Sequence, residues 1–395
     1  MNIFKKLEKS VQGFCTPLCK ILAPRLTENT CKARVFGKTD FLSFPYIPVR
    51  QIGFIFMRRI SVEELSEIIN NFGLHLKNAK KDKSSFLCDT DQGLKILSKS
   101  ADSLAHLQFQ HMAKEYLAKQ GFPHTDRFSL SFQGTPYAVI DGFCYILTSD
   151  VGRRELNVSD TDEVFRAVSQ LARFHKAGRG LPACPPDTPD FQKTVCGWEF
   201  TEKQQHFMAS AKKRAGTQTH KSDFDVLFLK SYPNFHNLLE RAYRVLAEAD
   251  EPSLHRAALE NRHLCHHAYK EENLLFTGSV CGISRFSEAS LDLQLNDLAY
   301  FIRRYANGGD PRLNVLQLEA VYENTLALTA QEHRVLYGLL LYPQNMVRIC
   351  SAYYTKKRTW IPSAIQKRLE DVVASQPAYE KYIALLADTE YTKNQ

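Results

Sequence analysis

The chain has 395 residues, 44% of them hydrophobic, enough to bury a substantial core and to form two lobes or domains. Residues 1–60 hold eleven Lys and Arg against three Asp and Glu and so carry the whole net charge of +8. The remainder is neutral, and the basic balance is no argument for a nucleic-acid-binding body. Ten cysteines are scattered with no CxxC pair and no zinc-like spacing, no secretory leader precedes them, and the longest apolar run, Ile52–Met57, is far short of the ~20 residues of a membrane span. These features predict reduced thiols in a protein made in the cytosol.

In the basic leader, Ile3, Phe4, Leu7 and Val11 share a helical face with Lys5, Lys6 and Lys9 outside it. The pattern is that of a membrane-surface helix, of a short solvated helix, or of an unfolded leader. Pro24 to Pro48 shows no sustained period, and the working polypeptide begins at either Met1 or Met57. From Ser61 the order is clearer. Ser61 and Glu64 make a capping box for a helix with Val62, Leu65, Ile68 and Ile69 on one face. Strands are predicted at Leu74–Leu76, Ser85–Cys88 and Leu94–Leu97, with Asp91-Gln92-Gly93 as the turn between the last two. A helix follows over Leu107–Leu117. Gly134-Thr135-Pro136-Tyr137 then reads as a hairpin turn between Ser129–Phe132 and Ala138–Ile140, and Phe143–Thr148 as a strand leading to a hinge.

Asp160 caps the next helix, with Glu163 at its third position and Val164, Ala167, Val168, Leu171 and Ala172 on one stripe ending at Phe174-His175. His175 has no indicated partner and reads as a packed residue near a helix end. Three prolines mark an exposed connection over Leu181–Thr188, and Lys212-Lys213-Arg214 through His220 reads as a solvated polar loop, without the aromatic or Gly-rich interleaving of a nucleic-acid surface. Phe235, Leu238, Leu239, Ala242, Val245 and Leu246 form a core helix.

The segment from His263 to Arg303 is laid out like a phosphotransferase site. A loop opens at His266 and fixes Asn273 seven residues on; strands Leu274–Phe276 and Val280–Ile283 follow, and a helix starts at Asp297 with Leu298, Phe301, Ile302 and Tyr305 on its stripe. Further helices cover Leu316–Leu328 and Thr329–Leu341, then Tyr342-Pro343, Tyr353-Tyr354, Thr359-Trp360-Ile361-Pro362 and a closing helix through Leu386.

Cys265-His266-His267-Ala268, Asn273, Arg285-Phe286 and Asp297 resemble in spacing the motifs of CotS/YutH-type spore coat proteins, a branch of the aminoglycoside phosphotransferase and choline kinase-like superfamily. The Leu-Ala-x-Phe-His helix end, Gly152-Arg153-Arg154-Glu155 and the C-terminal Tyr-Pro to Trp-Ile-Pro run support the likeness, which spans about residues 58–386. It implies an α+β, bilobal protein kinase-like fold, with a small β-rich N-lobe over 58–150 and a larger helical C-lobe over 151–395, after a leader over 1–57.

In such a site one carboxylate accepts the substrate hydroxyl proton and a second holds Mg²⁺. Here Ala268 stands in the first place and Arg285 in the second; a register shifted by one brings Ser284 instead, again no acid. The phosphate-binding lysine of the family falls at Ser98, flanked by Lys95 and Lys99, with Glu115 the nearest acid on the helix that would pair with it. Asn273 remains as a vestigial metal ligand, and Asp297 is expected both to cap its helix and to brace the loop. An arginine cannot shed its charge to admit a cation, although it could neutralise a phosphate or pair with Glu288 or Asp292. Rescue by Glu271, Glu272 or Glu288 needs a geometry the family does not use.

The expected function is that of a catalytically inactive kinase-like protein in spore coat assembly or structure. The alternative is a slow, atypical ATP-dependent phosphotransferase acting on a small hydroxylated molecule or a coat protein. The first needs no cofactor, and ATP and Mg²⁺ belong only to the second. The resemblance implies other spore coat proteins as partners, no nucleic acid and no transmembrane segment, with synthesis in the mother-cell cytoplasm and deposition in the coat.

Overall fold

Ser61 caps the first described helix. Its hydroxyl accepts from Glu64 N at 3.1 Å, and Ser61 N donates to the Glu64 carboxylate at 2.8 Å, completing the capping box. The structure, a computed structural model, describes residues 61–185, 188–306, 314–355 and 363–393. The basic leader and Thr359-Trp360-Ile361-Pro362 lie outside the described residues.

Helix α1 (Val62–Asn70) buries Leu65, Ile68 and Ile69, while Val62 faces solvent rather than sharing their stripe. Strands β1 (Leu76–Asp82), β2 (Ser85–Thr90), β3 (Gly93–Lys99), β4 (Ala138–Ile140) and β5 (Phe143–Ser149) form one antiparallel sheet in the order β1-β2-β3-β5-β4. Cys88, Leu97, Tyr145 and Leu147 make a small core with α1. Leu74 joins that core ahead of β1, so the first strand starts later than its apolar residues suggested.

Residues 129–132 are not a strand partner of Ala138–Ile140. Gly134 N donates to Ser131 O in a local turn, and β4 pairs instead with β5 around Asp141-Gly142. Both of these residues have positive φ, 50° and 76°, the backbone of a two-residue hairpin whose twist suits the flanking strands.

Helix α2 (Leu104–Lys119) follows β3, and its Phe109, Ala113 and Leu117 join the larger core, with the helical half, rather than the sheet-and-α1 core. At the hinge the chain crosses the hairpin of β8 (Leu274–Thr277) and β9 (Val280–Ile283) at backbone distance. A methyl group on Gly282 would lie 2.6 Å from Val151 O, and one on Gly152 2.9 Å from the Leu275 carbonyl carbon, so both positions require glycine.

The short strand β6 (Arg154–Glu155) pairs with β8, and β7 (Leu264–Cys265) with β10 (Ser290–Leu291). The rest of the C-lobe is helical: α3 (Thr161–Ala177), α4 (Gly197–Thr217), α5 (Asp223–Glu248), α6 (Glu251–Glu260), α7 (Leu295–Ala306), α8 (Val315–Glu323), α9 (Ala330–Leu341), α10 (Gln344–Tyr354) and α11 (Ser363–Lys393). Lys212-Lys213-Arg214 is the end of α4 and not a loop. Ala211 and Ala215 bury one side of that turn, and Arg214 donates to Tyr354 O at 2.7 Å. Tyr353 stacks on Phe224 at 3.8 Å between centroids and Tyr354 donates to Asp225 at 2.9 Å, which fixes α10 on the start of α5. No helix among the described residues is long and apolar enough to cross a membrane.

Candidate functional site

The loop between β7 and β8 is held from below by one buried carboxylate. The helix starts at Leu295, so Asp297 lies inside the first turn of α7 and does not cap it as expected. Its carboxylate braces the loop alone, accepting from His266 N at 2.6 Å and His267 N at 2.7 Å, with Oδ2 3.3 Å from His175 Nε2. His175 is fully buried and is not without partners: its Nδ1 meets the Tyr322 hydroxyl at 2.8 Å. Burial alone would raise the Asp297 carboxyl, but the His175 hydrogen bond and the neighbouring imidazoles more than offset it and hold the group well below the usual carboxylate range.

His266 shapes the loop from within. Ala268 N donates to its Nδ1 at 3.3 Å, which leaves the Nε2 proton to donate to Ser284 O at 3.0 Å, the pattern of a neutral imidazole. Phe286 lies edge-on to the same ring at 4.8 Å between centroids. Asn273 closes a single 3-10 turn (Glu271–Asn273); its Nδ2 donates to Ala268 O at 2.8 Å, and Ser284 N donates to Asn273 O at 2.9 Å. The frame of a phosphotransferase loop is therefore complete in hydrogen bonds.

This neutral, buried histidine has a consequence for stability. Burial pushes His266 down to about 4, and burial with the nearby Arg179 does the same to His263. Between about 4 and an ordinary histidine value near 6.5, the unfolded chain takes up protons that the folded chain refuses, so stability falls as pH drops through that window. His255 works in the opposite sense. Burial lowers it, but Asp292 more than compensates, and the raised value adds stability that fades as pH climbs above 6.5. Urea midpoints should therefore drop from pH 6.5 to pH 4.5; a flat or rising profile would contradict the neutral state of His266.

Around this frame the positions expected to carry the chemistry hold other groups. Ala268 has no carboxylate, and Arg285, whose backbone turns left-handed at φ 62°, carries an exposed side chain. Ser284 is buried, with its hydroxyl donating to Asn273 O at 3.2 Å, so the shifted register also supplies no acid. Arg285 forms no ion pair with Glu288 or Asp292, the two acids that its position in the sequence left open as partners. Asp292 is buried between His255 (3.2 Å) and His267 (3.4 Å). The Arg285 charge is felt instead by Glu272 and by Lys83 at the β1–β2 turn. Lys83 reaches Glu155 of the C-lobe at 2.9 Å, an exposed pair of small energetic weight. Glu271 is paired with Arg304, and Glu272 with Lys270 at 2.9 Å, so neither is turned toward Asn273 as a substitute.

In β3, Ser98 lies opposite Ile146, while Lys95 and Lys99 lie on the other face with Leu97. Lys99 places its ammonium 3.6 Å above the Phe143 ring, at the surface. Glu115 is engaged by Arg127, Nε to Oε1 at 2.8 Å, which lowers its carboxyl. The lysine that does reach the junction is one the sequence reading passed over. Lys114 of α2 is 1% exposed; its ammonium lies 2.7 Å from Asp126 Oδ1 and donates to Asp126 O at 2.9 Å, over the rings of Phe128 and Phe286. Asp126 Oδ2 in turn accepts from Arg285 N at 3.0 Å. The signal was present: Lys114 falls on the buried stripe of Leu107, Gln110 and Leu117, where a charge must have a partner.

The residues do not fit a divalent metal. Asn273 Oδ1 is buried without a hydrogen-bond partner and would suit a cation, but it is a single neutral oxygen. The positions at which the resemblance expects the two carboxylates hold Ala268 and Arg285, and the nearby Asp126 is already neutralised by Lys114.

Helix α2, the β1–β2 hairpin, the hinge and the Asp297-braced loop together define a kinase-like fold of the aminoglycoside phosphotransferase type. An aminoglycoside phosphotransferase from Alicyclobacillus acidocaldarius superposes with a TM-score of 0.72 at 18% identity, covering 82% of this chain and 96% of that one. The chain belongs to the family described as spore coat putative kinase YutH, whose profile matches residues 65–386. It is similar to spore coat protein S of Bacillus subtilis, 21% identical over 346 residues, covering 82% of this chain and 94% of the relative. It is also similar to the endospore coat-associated protein YutH of the same organism, 21% identical over 329 residues, with 80% and 90% covered.

Proposed function

We propose that this chain is a catalytically inactive member of its family, which serves in spore coat assembly or structure by presenting surfaces to other coat proteins. It is made in the mother cell and deposited in the coat. One observation carries the reading: an alanine and a fixed cation stand where the two carboxylates of the chemistry belong, while the hydrogen-bonded frame around them is intact. A missing general base alone would cost about 10²–10⁴-fold in rate and leave a slow enzyme. A guanidinium in place of the metal carboxylate repels the ion itself. Neither ATP nor Mg²⁺ is needed for the proposed role, and the coat assignment follows the family rather than the fold.

The competing reading, a slow phosphotransferase, draws on Asn273, whose buried side-chain oxygen has no hydrogen-bond partner. Calorimetry with Mg·ATP separates the two. The wild-type chain is expected to give no saturable heat, and Ala268→Asp with Arg285→Asp to restore nucleotide binding if the cleft is merely disabled. Chelator-sensitive ATP turnover by the wild-type chain at an ordinary kinase rate would overturn the proposal.

A further inference from the structure

We propose that the cavity behind the hinge binds a small hydroxylated anion, a phosphorylated polyol or a hydroxy-carboxylate, independently of the interlobe cleft. The cavity has a volume of about 480 Å³ and is bounded by the end of β5 and the hinge, the 123–128 segment after α2, and β9, with Lys95 reaching in from β3. Ala268, Asn273, Arg285 and Ser98 do not line it. Lys95 belongs to the sheet face that carries Leu97 and Leu147 into the core under α1, the face opposite Ser98. This is a second site, and not the remnant of the first.

Its polar groups are unevenly satisfied. Thr125 is 1% exposed, lines the cavity, and has a hydroxyl with no hydrogen-bond partner. A buried hydroxyl without a partner carries a desolvation penalty, and a turn of the Thr125 side chain about χ1 would bring it to the cavity, where a ligand oxygen would relieve that penalty. Lys95 is half-buried in the wall and forms no ion pair among the described residues. The other cation in the lining, Arg127, is neutralised by Glu115. The site therefore presents one uncompensated positive charge and holds one unused donor that a side-chain rotation would bring to it. Ser149 and Asp150 add side-chain oxygens in the lining, Asp150 steadied by Arg153 at 3.1 Å. A lone phosphate would leave most of this space unfilled, whereas a molecule of six or so carbons with one anionic group and several hydroxyls matches both size and polarity.

The test is saturation-transfer difference NMR and calorimetry on the full chain, with glucose 6-phosphate and gluconate as probes and glucose as the neutral control. At least one anion is expected to bind saturably with a Kd of order 1 mM, and glucose at least about tenfold more weakly. A preference for glucose 6-phosphate or for gluconate tells the phosphate source from the carboxylate source. Lys95→Met should weaken binding about tenfold and Lys95→Arg by much less, while Thr125→Val, close in shape, should weaken it several-fold. Arg285→Ala, outside the cavity lining, should change nothing. Saturation by neither anion, binding indifferent to both Lys95→Met and Thr125→Val, or binding abolished by Arg285→Ala would each overturn the proposal; should Lys95→Met fail to fold, the Thr125→Val and Lys95→Arg arms decide it.

Discussion

Replacing Lys114 by methionine is expected to lower the unfolding free energy by about 3–5 kcal/mol, because it keeps the aliphatic stem but strands the Asp126 carboxylate in the interior. The geometry is that of a tight buried pair, 2.7 Å between ammonium and carboxylate, with 1% and 11% of the two side chains exposed. Burial lowers the ammonium, and Asp126 opposes that fall through its charge and hydrogen bond. The pair's net contribution is therefore small compared with the cost of breaking it. The double variant Lys114→Met with Asp126→Asn should recover most of the loss, since no unpaired charge remains and the asparagine carbonyl can still accept from Arg285 N. Urea unfolding of the two singles and the double closes the cycle. Additive losses would mean that Lys114 and Asp126 do not act as a pair.

Asp297→Ala is expected to cost a similar amount, about 3–5 kcal/mol, by a different route. It leaves two backbone donors, His266 N and His267 N, buried without acceptors, and takes away the partner of His175 Nε2. Asp297→Asn should be milder but still destabilising: its single carbonyl can serve one donor well, while its amide confronts another N–H. The damage should be local to the loop as well as global. Amide hydrogen exchange over 266–273 should accelerate more in Asp297→Ala than in Lys114→Met, whose damage centres on α2 and the 123–128 segment. Equal exchange profiles in the two variants would indicate that Asp297 supports the C-lobe as a whole rather than the loop.

Much of the fold was legible because its signals are local. The Ser61–Glu64 box and the Asp160 cap act within a turn of their own positions, and the Asn273 spacing is counted along a single loop. The misreadings have local causes as well. Gly134 drew attention from Asp141-Gly142, the pair whose backbone the hairpin needs, and the charges of Lys212-Lys213-Arg214 hid a helix whose alanines are buried every fourth residue. His175 looked partnerless because its partners, Asp297 and Tyr322, lie 122 and 147 residues away.

The amino-acid sequence alone determined that this is a kinase-like chain in which no carboxylate stands at position 268 or 285, since identity and spacing are properties of the chain itself. Only the tertiary structure decided where the charges went. It left the Arg285 side chain exposed on a left-handed residue, took Lys114 into the interior against Asp126, and set Lys95 and Thr125 in the wall of a cavity. The physical reason is that the energy of a charge depends on which groups surround it after folding, and those groups come from segments that local propensity cannot bring together.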